Sequence, residues 1–197
     1  MKPLNLSKPH VIVTVGIPGS GKSFFAEHFA ATFKAPLISG DRVRKELFGA
    51  KERSNEQLAI ANKITNYLLE EVLKTGRTIV LDGQTDLRSE RALIAKKAKD
   101  YGYDPMFVWI QTESVTAKKR ATKTTTDKSN INAEQFDAKL KRFSAPHLSE
   151  KAIVISGKHT YNSQMKIVLK HLVEPRLHAI EPIVPSRPIM TRNNFIR

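Results

Sequence analysis

The chain has 197 residues, of which 40% are hydrophobic, and a formal net charge of +14 at pH 7. This apolar content is sufficient for one folded domain with its own core, and it argues against wholesale disorder. The absence of cysteine excludes disulfides, thiolate metal sites and thiol catalysis. The sequence shows neither an apolar run of the roughly 20 residues that cross a bilayer nor a signal-peptide-like stretch, so we expect a cytoplasmic protein without a membrane partner.

The positive charge predicts attraction to polyanions such as nucleic acid or nucleotides, and it does not select one of them. Lysine and arginine are concentrated between residues 116 and 142. This cluster suits a segment that handles phosphate groups. Lysines also solvate the exposed faces of ordinary helices, so that alternative remains open.

The apolar periodicity predicts five short strands with helices between them. The predicted strands are residues 10–15, 36–39, 78–81, 106–110 and 152–155. The predicted helices are residues 22–34, a helix with Asp41 as N-cap that ends at Gly49, and residues 55–75, 88–101, 113–123, 133–143 and 162–173. Residues 124–132 are polar without an apolar period, which predicts a mobile loop.

Alternation of strands and helices predicts a mostly parallel sheet, because parallel neighbours need long crossover connections. We therefore expect an α/β three-layer sandwich with a five-stranded sheet and helices on both faces. Residues 1–174 form the predicted domain, with a basic lid at about 113–145. The prolines of residues 175–197 predict an extended basic tail.

A phosphate-binding loop is the most specific motif in the sequence. Residues 16–23, GIPGSGKS, match the pattern G-x-x-x-x-G-K-[ST] directly after a predicted strand and at the start of a helix. Backbone amides and the helix N-terminus of such a turn bind the phosphates of ATP, while Lys22 reaches the β- and γ-phosphates and Ser23 ligates Mg²⁺. The predicted nucleotide ligands in this loop are Gly16, Pro18, Gly19, Ser20, Gly21, Lys22 and Ser23.

Polar residues that follow the other strands are candidates for the acceptor side, because ligands bind at the carboxyl ends of parallel strands. Asp41 follows the second strand and is the candidate base that removes a proton from an acceptor hydroxyl. Arg44, one helical turn later, is a candidate clamp for an anionic group on the acceptor. Asp82 follows the third strand and either holds Mg²⁺ or positions the acceptor, with Gln84 and Thr85 beside it.

Four segments together resemble the small P-loop kinases related to polynucleotide 5′-hydroxyl kinase and zeta-toxin-like kinases, which include AAA-type ATP-binding kinases. They are GIPGSGKS, SGDRVRKELFG, TIVLDGQT and AKKRATK, within a similarity that spans about residues 11–155. The resemblance implies a P-loop NTPase fold of the nucleotide-kinase type, with the base and the acceptor arginine at Asp41 and Arg44. It also implies a basic lid, in which Arg120 assists catalysis and Lys123 binds the donor. Relatives have more arginines there, so the lid residue that stabilises the transition state stays open.

Two functions follow from these observations. The first is a kinase, with ATP and Mg²⁺ as cofactors, that phosphorylates a hydroxyl of a small molecule or a nucleic-acid 5′ end. The second is a nucleotide-dependent nucleic-acid-binding ATPase with little or no kinase activity. A GTPase is disfavoured, because no N-K-x-D segment is present to select guanine. We expect a monomer or a weak oligomer.

Overall fold

The computed structural model of the chain describes residues 6, 8–49, 54–123 and 131–173. Its strands are β1 (His10–Val15), β2 (Leu37–Ser39), β3 (Ile79–Asp82), β4 (Asp104–Gln111) and β5 (Ile153–Ser156). Its helices are α1 (Lys22–Phe33), α2 (Gly40–Phe48), α3 (Asn55–Leu73), α4 (Arg88–Asp100), α5 (Ser114–Thr122), α6 (Ala133–Arg142) and α7 (Tyr161–Val173), with a short 3₁₀ helix at Leu148–Glu150.

The strands form one sheet in the order β2-β3-β1-β4-β5, and all neighbouring pairs are parallel. The predicted five-stranded parallel sheet is therefore confirmed. β1 is the central strand and its six residues are all buried, as expected of a strand covered on both faces. The phosphate-binding loop consequently starts in the middle of the carboxyl edge of the sheet.

Helices cover both faces of the sheet, so the predicted three-layer sandwich is also confirmed. On one face, Phe25 and Phe29 of α1 pack with Val168 of α7 against β1 and β4. On the other face, Leu69 of α3 and Ile94 of α4 pack against β1 and β3.

A third cluster holds α5 and α6, which we call the lid helices, against the phosphate-binding loop. Ile17 from the loop, Ala117 from α5 and Phe136 from α6 are buried together with Ile131. Ile131 belongs to the predicted polar loop, because a single apolar residue in a polar stretch shows no period. The rest of that predicted loop, residues 124–130, and the predicted tail lie outside the described residues.

The N-cap of α2 differs from the prediction. Ser39 caps the helix, and its side chain accepts a hydrogen bond from the Arg42 backbone amide. The prediction of Asp41 as N-cap was wrong by two residues, since serine and aspartate are both good caps and the sequence does not distinguish them. Asp41 lies instead in the first turn of α2, where its carboxylate is exposed.

Candidate active site

The phosphate-binding loop joins the end of β1 to the start of α1, as its motif requires. α1 begins at Lys22, so the unpaired amides of its first turn lie at the loop. Gly19 has a φ of +75°, and a Cβ at this position would lie 2.2 Å from the Ala117 carbonyl oxygen of α5. Only glycine allows the loop and the first lid helix to approach this closely.

Lys22 is half-buried, and its Nζ donates a 3.0 Å hydrogen bond to the Ile17 carbonyl oxygen of the same loop. Burial lowers the pKa of Lys22 below its ordinary value, and nearby Lys139 acts in the same direction. The carboxylates of Asp82, Asp86 and Asp41 partly oppose this decrease of the pKa. A bound triphosphate would supply the negative charge that this buried ammonium lacks.

Asp82 is buried at the end of β3, and both of its carboxylate oxygens are held in place. Oδ1 accepts a 2.7 Å hydrogen bond from the Thr14 hydroxyl, and Oδ2 accepts a 2.7 Å hydrogen bond from the Ser23 hydroxyl. Ser23 and Asp82 thus place hard oxygen ligands side by side, which fits a Mg²⁺ ion. The buried hydroxyl of Ser20 has no hydrogen-bond partner in the described part of the chain, which fits a loop built around an anionic ligand.

Thr85 was predicted to contact the acceptor, and its side chain is buried under the site. Its hydroxyl donates a 2.9 Å hydrogen bond to the Thr14 carbonyl oxygen. This bond fastens the segment after β3 to β1. Thr85 therefore supports the edge that carries Asp82.

A cavity of about 620 Å³ opens at this carboxyl edge. It brings together nine of the predicted site residues: Pro18, Gly19, Lys22, Ser23, Asp41, Asp82, Gln84, Thr85 and Arg120. No hydrogen bond of the Asp41 carboxylate is found within the described residues. The predicted base, the predicted metal ligands and the phosphate-binding lysine thus line one cavity.

Arg44 does not line this cavity. Its side chain is only 1% exposed, and Nη1 donates a long 3.4 Å hydrogen bond to the Gly49 carbonyl oxygen. Its Nε and Nη2 have no hydrogen-bond partner among the residues described. The structure therefore buries this arginine of α2 away from the cavity lining, and an acceptor contact by Arg44 stays a prediction.

The lid helices add cations to the lining of the cavity. Arg120 of α5 lines the cavity and donates a 3.1 Å hydrogen bond to the Gly157 carbonyl oxygen, beyond β5. Lys123 is the C-cap of α5 and does not line the cavity. Its predicted donor contact remains untested, since the following residues 124–130 are not described.

Two basic residues of α6, Lys139 and Arg142, also line the cavity. The sequence placed both in the basic cluster of residues 116–142 but did not assign either of them to the site. Arg142 donates a 3.0 Å hydrogen bond to Glu90, whereas Lys139 is close enough to lower the pKa of Lys22. The signal that could have found Lys139 is its spacing, because it lies three residues after Phe136, which anchors α6 in the third cluster.

The family described as "AAA domain" matches residues 11–146, which is more than half of the chain. The chain belongs to this family. The match contains every predicted site residue from the phosphate-binding loop to Lys123. No curated protein matches the sequence significantly.

Solved structures of kinases and of a related nucleotide-binding protein share the fold of this AAA domain protein. A sugar kinase from Janibacter sp. HTCC2649 has 16% identity and a TM-score of 0.63, over 84% of this chain and 96% of that one. A gluconokinase from Sinorhizobium meliloti 1021 has 19% identity and a TM-score of 0.61, over 83% and 91% of the two chains. Chaetomium thermophilum Kti12 in complex with ADP-AlF3 has 16% identity and a TM-score of 0.61, over 83% and 97%.

The fold of this AAA domain protein is thus a kinase-like P-loop NTPase fold. Within the part of the chain that the structure describes, no helix is both long and apolar enough to cross a membrane.

Proposed function

We propose that this protein is a phosphotransferase that moves the γ-phosphate of ATP to a hydroxyl acceptor. The observation that carries the proposal is the shared cavity, in which Lys22, the Ser23–Asp82 pair and Asp41 all lie. These groups are the ones that phosphoryl transfer requires: a phosphate ligand, a metal site and a carboxylate base.

The donor half of the site consists of the phosphate-binding loop and β3. Loop amides and Lys22 would bind the β- and γ-phosphates of ATP, while Ser23 and Asp82 would hold Mg²⁺. When bound, this ion would supply positive charge that offsets the charge on the transferred group. Thr14 keeps Asp82 oriented toward Ser23 through its 2.7 Å hydrogen bond.

The acceptor half depends on Asp41. Its carboxylate takes the proton of the acceptor hydroxyl while the acceptor oxygen forms a bond to the γ-phosphorus. The bond from the γ-phosphorus to the bridging oxygen breaks, and ADP leaves with that oxygen. Asp41 suits this reaction because Ser39 caps α2, which leaves the Asp41 carboxylate available in the cavity.

The lid helices supply the cations for the transferred phosphoryl group. Arg120 of α5 and Lys139 of α6 line the same cavity as Asp41 of α2. Cations in this position stabilise the negative charge that spreads over the transferred phosphoryl group. Lys139 is the additional candidate for this task, beside the predicted Arg120.

A nucleotide-dependent nucleic-acid-binding ATPase is the second candidate function. It is favoured by the net charge of +14 and by the likeness to Kti12, whose structure holds ADP-AlF3. In that case, binding to an oligonucleotide weakens steeply with salt, and no phosphate is transferred to any hydroxyl.

The deciding experiment is incubation of the full chain with γ-labelled ATP and an acceptor panel of sugars, polyols, nucleosides and 5′-hydroxyl oligonucleotides. Mass spectrometry then identifies any phosphorylated product. Transfer that is lost in Lys22→Ala supports the kinase, whereas ATP hydrolysis without any phosphorylated acceptor supports the ATPase.

A further inference from the structure

Gln84 adopts an unusual backbone conformation close to the site. Its φ is +56°, in the left-handed region that side chains other than glycine seldom occupy. Gln84 follows Asp82 by two residues and lines the cavity. Strained residues of this kind persist where surrounding structure holds them, and they cluster at functional sites.

The side chain of Gln84 is paired with Asn62 of α3, which lines the same cavity. Nε2 of Gln84 donates a 2.9 Å hydrogen bond to Asn62 Oδ1 and approaches the Asn62 backbone carbonyl oxygen at 3.3 Å. Because a backbone carbonyl only accepts hydrogen bonds, the nitrogen end of the Gln84 amide faces Asn62. The oxygen end of the Asn62 side chain then faces Gln84.

This orientation leaves two groups available to a ligand. Asn62 Nδ2, a donor, and Gln84 Oε1, an acceptor, have no hydrogen-bond partner within the described ranges. Each hydroxyl of a polyol both donates and accepts hydrogen bonds. In the proposed reaction the reacting hydroxyl gives its one proton to Asp41, so it cannot also donate to Gln84 Oε1. Two further neighbouring hydroxyls match this donor and acceptor pair, and a monohydroxy acceptor has none to offer.

The charged residues that line the described part of the cavity are the carboxylates Asp41, Asp82 and Asp86 and the cations Lys22, Arg120, Lys139 and Arg142. In the proposed reaction the phosphates of ATP engage Lys22, Arg120 and Lys139, and Arg142 is paired with Glu90. An acceptor phosphate would therefore meet the carboxylates without a free cation, whereas amides bind uncharged hydroxyls without this repulsion.

We propose that Asn62 and Gln84 select the acceptor by binding a vicinal diol of a neutral polyhydroxy compound. The inference rests on the proposed function and names the substrate class of the same site. Asp41 deprotonates one hydroxyl of the compound, and the amide pair holds two others. The strained backbone of Gln84 directs its side chain to this position.

The test compares two variants of the amide pair with one control variant. Asn62→Asp retains the oxygen that accepts from Gln84 Nε2 but removes the Nδ2 donor. Gln84→Gly removes the side chain and also the backbone strain, so its melting temperature should rise by about 2 °C. Asn66→Asp is the matched control, since Asn66 is exposed one turn further along α3 and does not line the cavity.

Kinetics are measured with D-ribose and glycerol as diol acceptors and with 1-propanol as a monohydroxy acceptor. We expect Asn62→Asp and Gln84→Gly to raise the KM for the diols about ten-fold, with the KM for ATP and the KM for 1-propanol nearly unchanged. Asn66→Asp should behave like the unmodified chain. Unchanged diol KM values in both site variants, or a larger kcat/KM for a 5′-hydroxyl DNA than for every polyol, would overturn the inference.

Binding without turnover separates this inference from the proposed function. D-ribose is titrated calorimetrically into the chain saturated with an ATP analogue that cannot transfer its γ-phosphate. Binding that weakens in Asn62→Asp but not in Asn66→Asp supports the amide pair, even if no transfer is seen. Transfer to other hydroxyls without any ribose or glycerol binding refutes the amide pair and leaves the kinase proposal intact.

Discussion

Thr14 and Asp82 lie opposite each other in the parallel register of β1 and β3, and the threonine hydroxyl donates a 2.7 Å hydrogen bond to Asp82 Oδ1. Both residues are buried. The same carboxylate accepts from Ser23 through Oδ2. One threonine of the central strand therefore orients the carboxylate that is proposed to hold Mg²⁺.

Replacing Thr14 by valine should raise the Mg²⁺ concentration needed for half-maximal phosphoryl transfer about ten-fold, because Asp82 loses the bond that orients it. The variant should also lose about 1–3 kcal/mol of unfolding free energy, since Oδ1 becomes buried without a partner. Activity as a function of Mg²⁺ concentration checks the first effect, and urea unfolding checks the second. Thr14→Ser keeps the hydroxyl and serves as control; equal Mg²⁺ dependence of the valine and serine variants would contradict this account.

Lys139 is expected to stabilise the transferred phosphoryl group. Lys139→Ala should lower kcat about 100-fold with a smaller change in the KM for ATP, as is typical when one preorganised donor is removed. Steady-state kinetics of the phosphotransfer reaction measures the split between kcat and KM. The control is Lys141→Ala, because Lys141 is exposed on the same helix and does not line the cavity. An equal loss of kcat in both variants would contradict a specific role of Lys139. It would show that the general positive charge of α6 supports phosphoryl transfer.

Arg91 ties the segment after β3 to the end of the lid helices. Its buried guanidinium donates hydrogen bonds of 2.9 Å to the carbonyl oxygens of Thr85 and Ser144, and it forms an ion pair with Glu150 at 2.6 Å. The hydrogen bond from Arg91 is the main reason that the pKa of Glu150 lies below its ordinary value of 4.5. Burial of the carboxylate opposes this shift of the pKa without reversing it.

Glu150→Gln should therefore lower the unfolding free energy at pH 7 by about 3 kcal/mol, because Arg91 remains buried with its charge uncompensated. A carboxylate with a lowered folded-state pKa stabilises the fold above the unfolded-state pKa, and this stabilisation is lost as the pH falls through the folded-state value. The difference between the variant and the unmodified chain should accordingly shrink below pH 4.5. Urea unfolding at several pH values measures it.

Glu71→Gln is the matched control for this experiment, since Glu71 forms an exposed ion pair with Lys74. Its effect on the unfolding free energy should be close to zero at every pH, because water screens an exposed ion pair. A loss in Glu150→Gln that is equally small, or one that does not depend on pH, would show that the Arg91–Glu150 pair does not fasten these segments.

The features that the sequence predicted are local. The phosphate-binding loop follows from eight consecutive residues, and Asp82 follows from its place at the end of a buried strand. The alternation of predicted strands and helices is enough to predict a parallel sheet with helices on both faces.

The features that the sequence did not predict depend on how distant segments meet. The Thr14–Asp82 bond requires the register of β1 and β3, and Lys139 reaches the cavity only because Ile17, Ala117 and Phe136 pack α6 near the loop. The pairing of Gln84 with Asn62 depends on the left-handed backbone of a residue that rarely adopts it. Burial of Arg44 was missed because an arginine in an amphipathic helix is usually exposed.

The central claim is that Asp41 deprotonates an acceptor next to the phosphates of ATP. Single-turnover transfer from γ-labelled ATP, measured with saturating acceptor for the unmodified chain and for Asp41→Asn, tests it most directly, with Asp100→Asn as an exposed control on α4. We predict that Asp41→Asn slows transfer about 100-fold or more, because the amide cannot accept the proton, while ATP still binds and Asp100→Asn is unaffected. Transfer by Asp41→Asn at the rate of the unmodified chain would contradict the account.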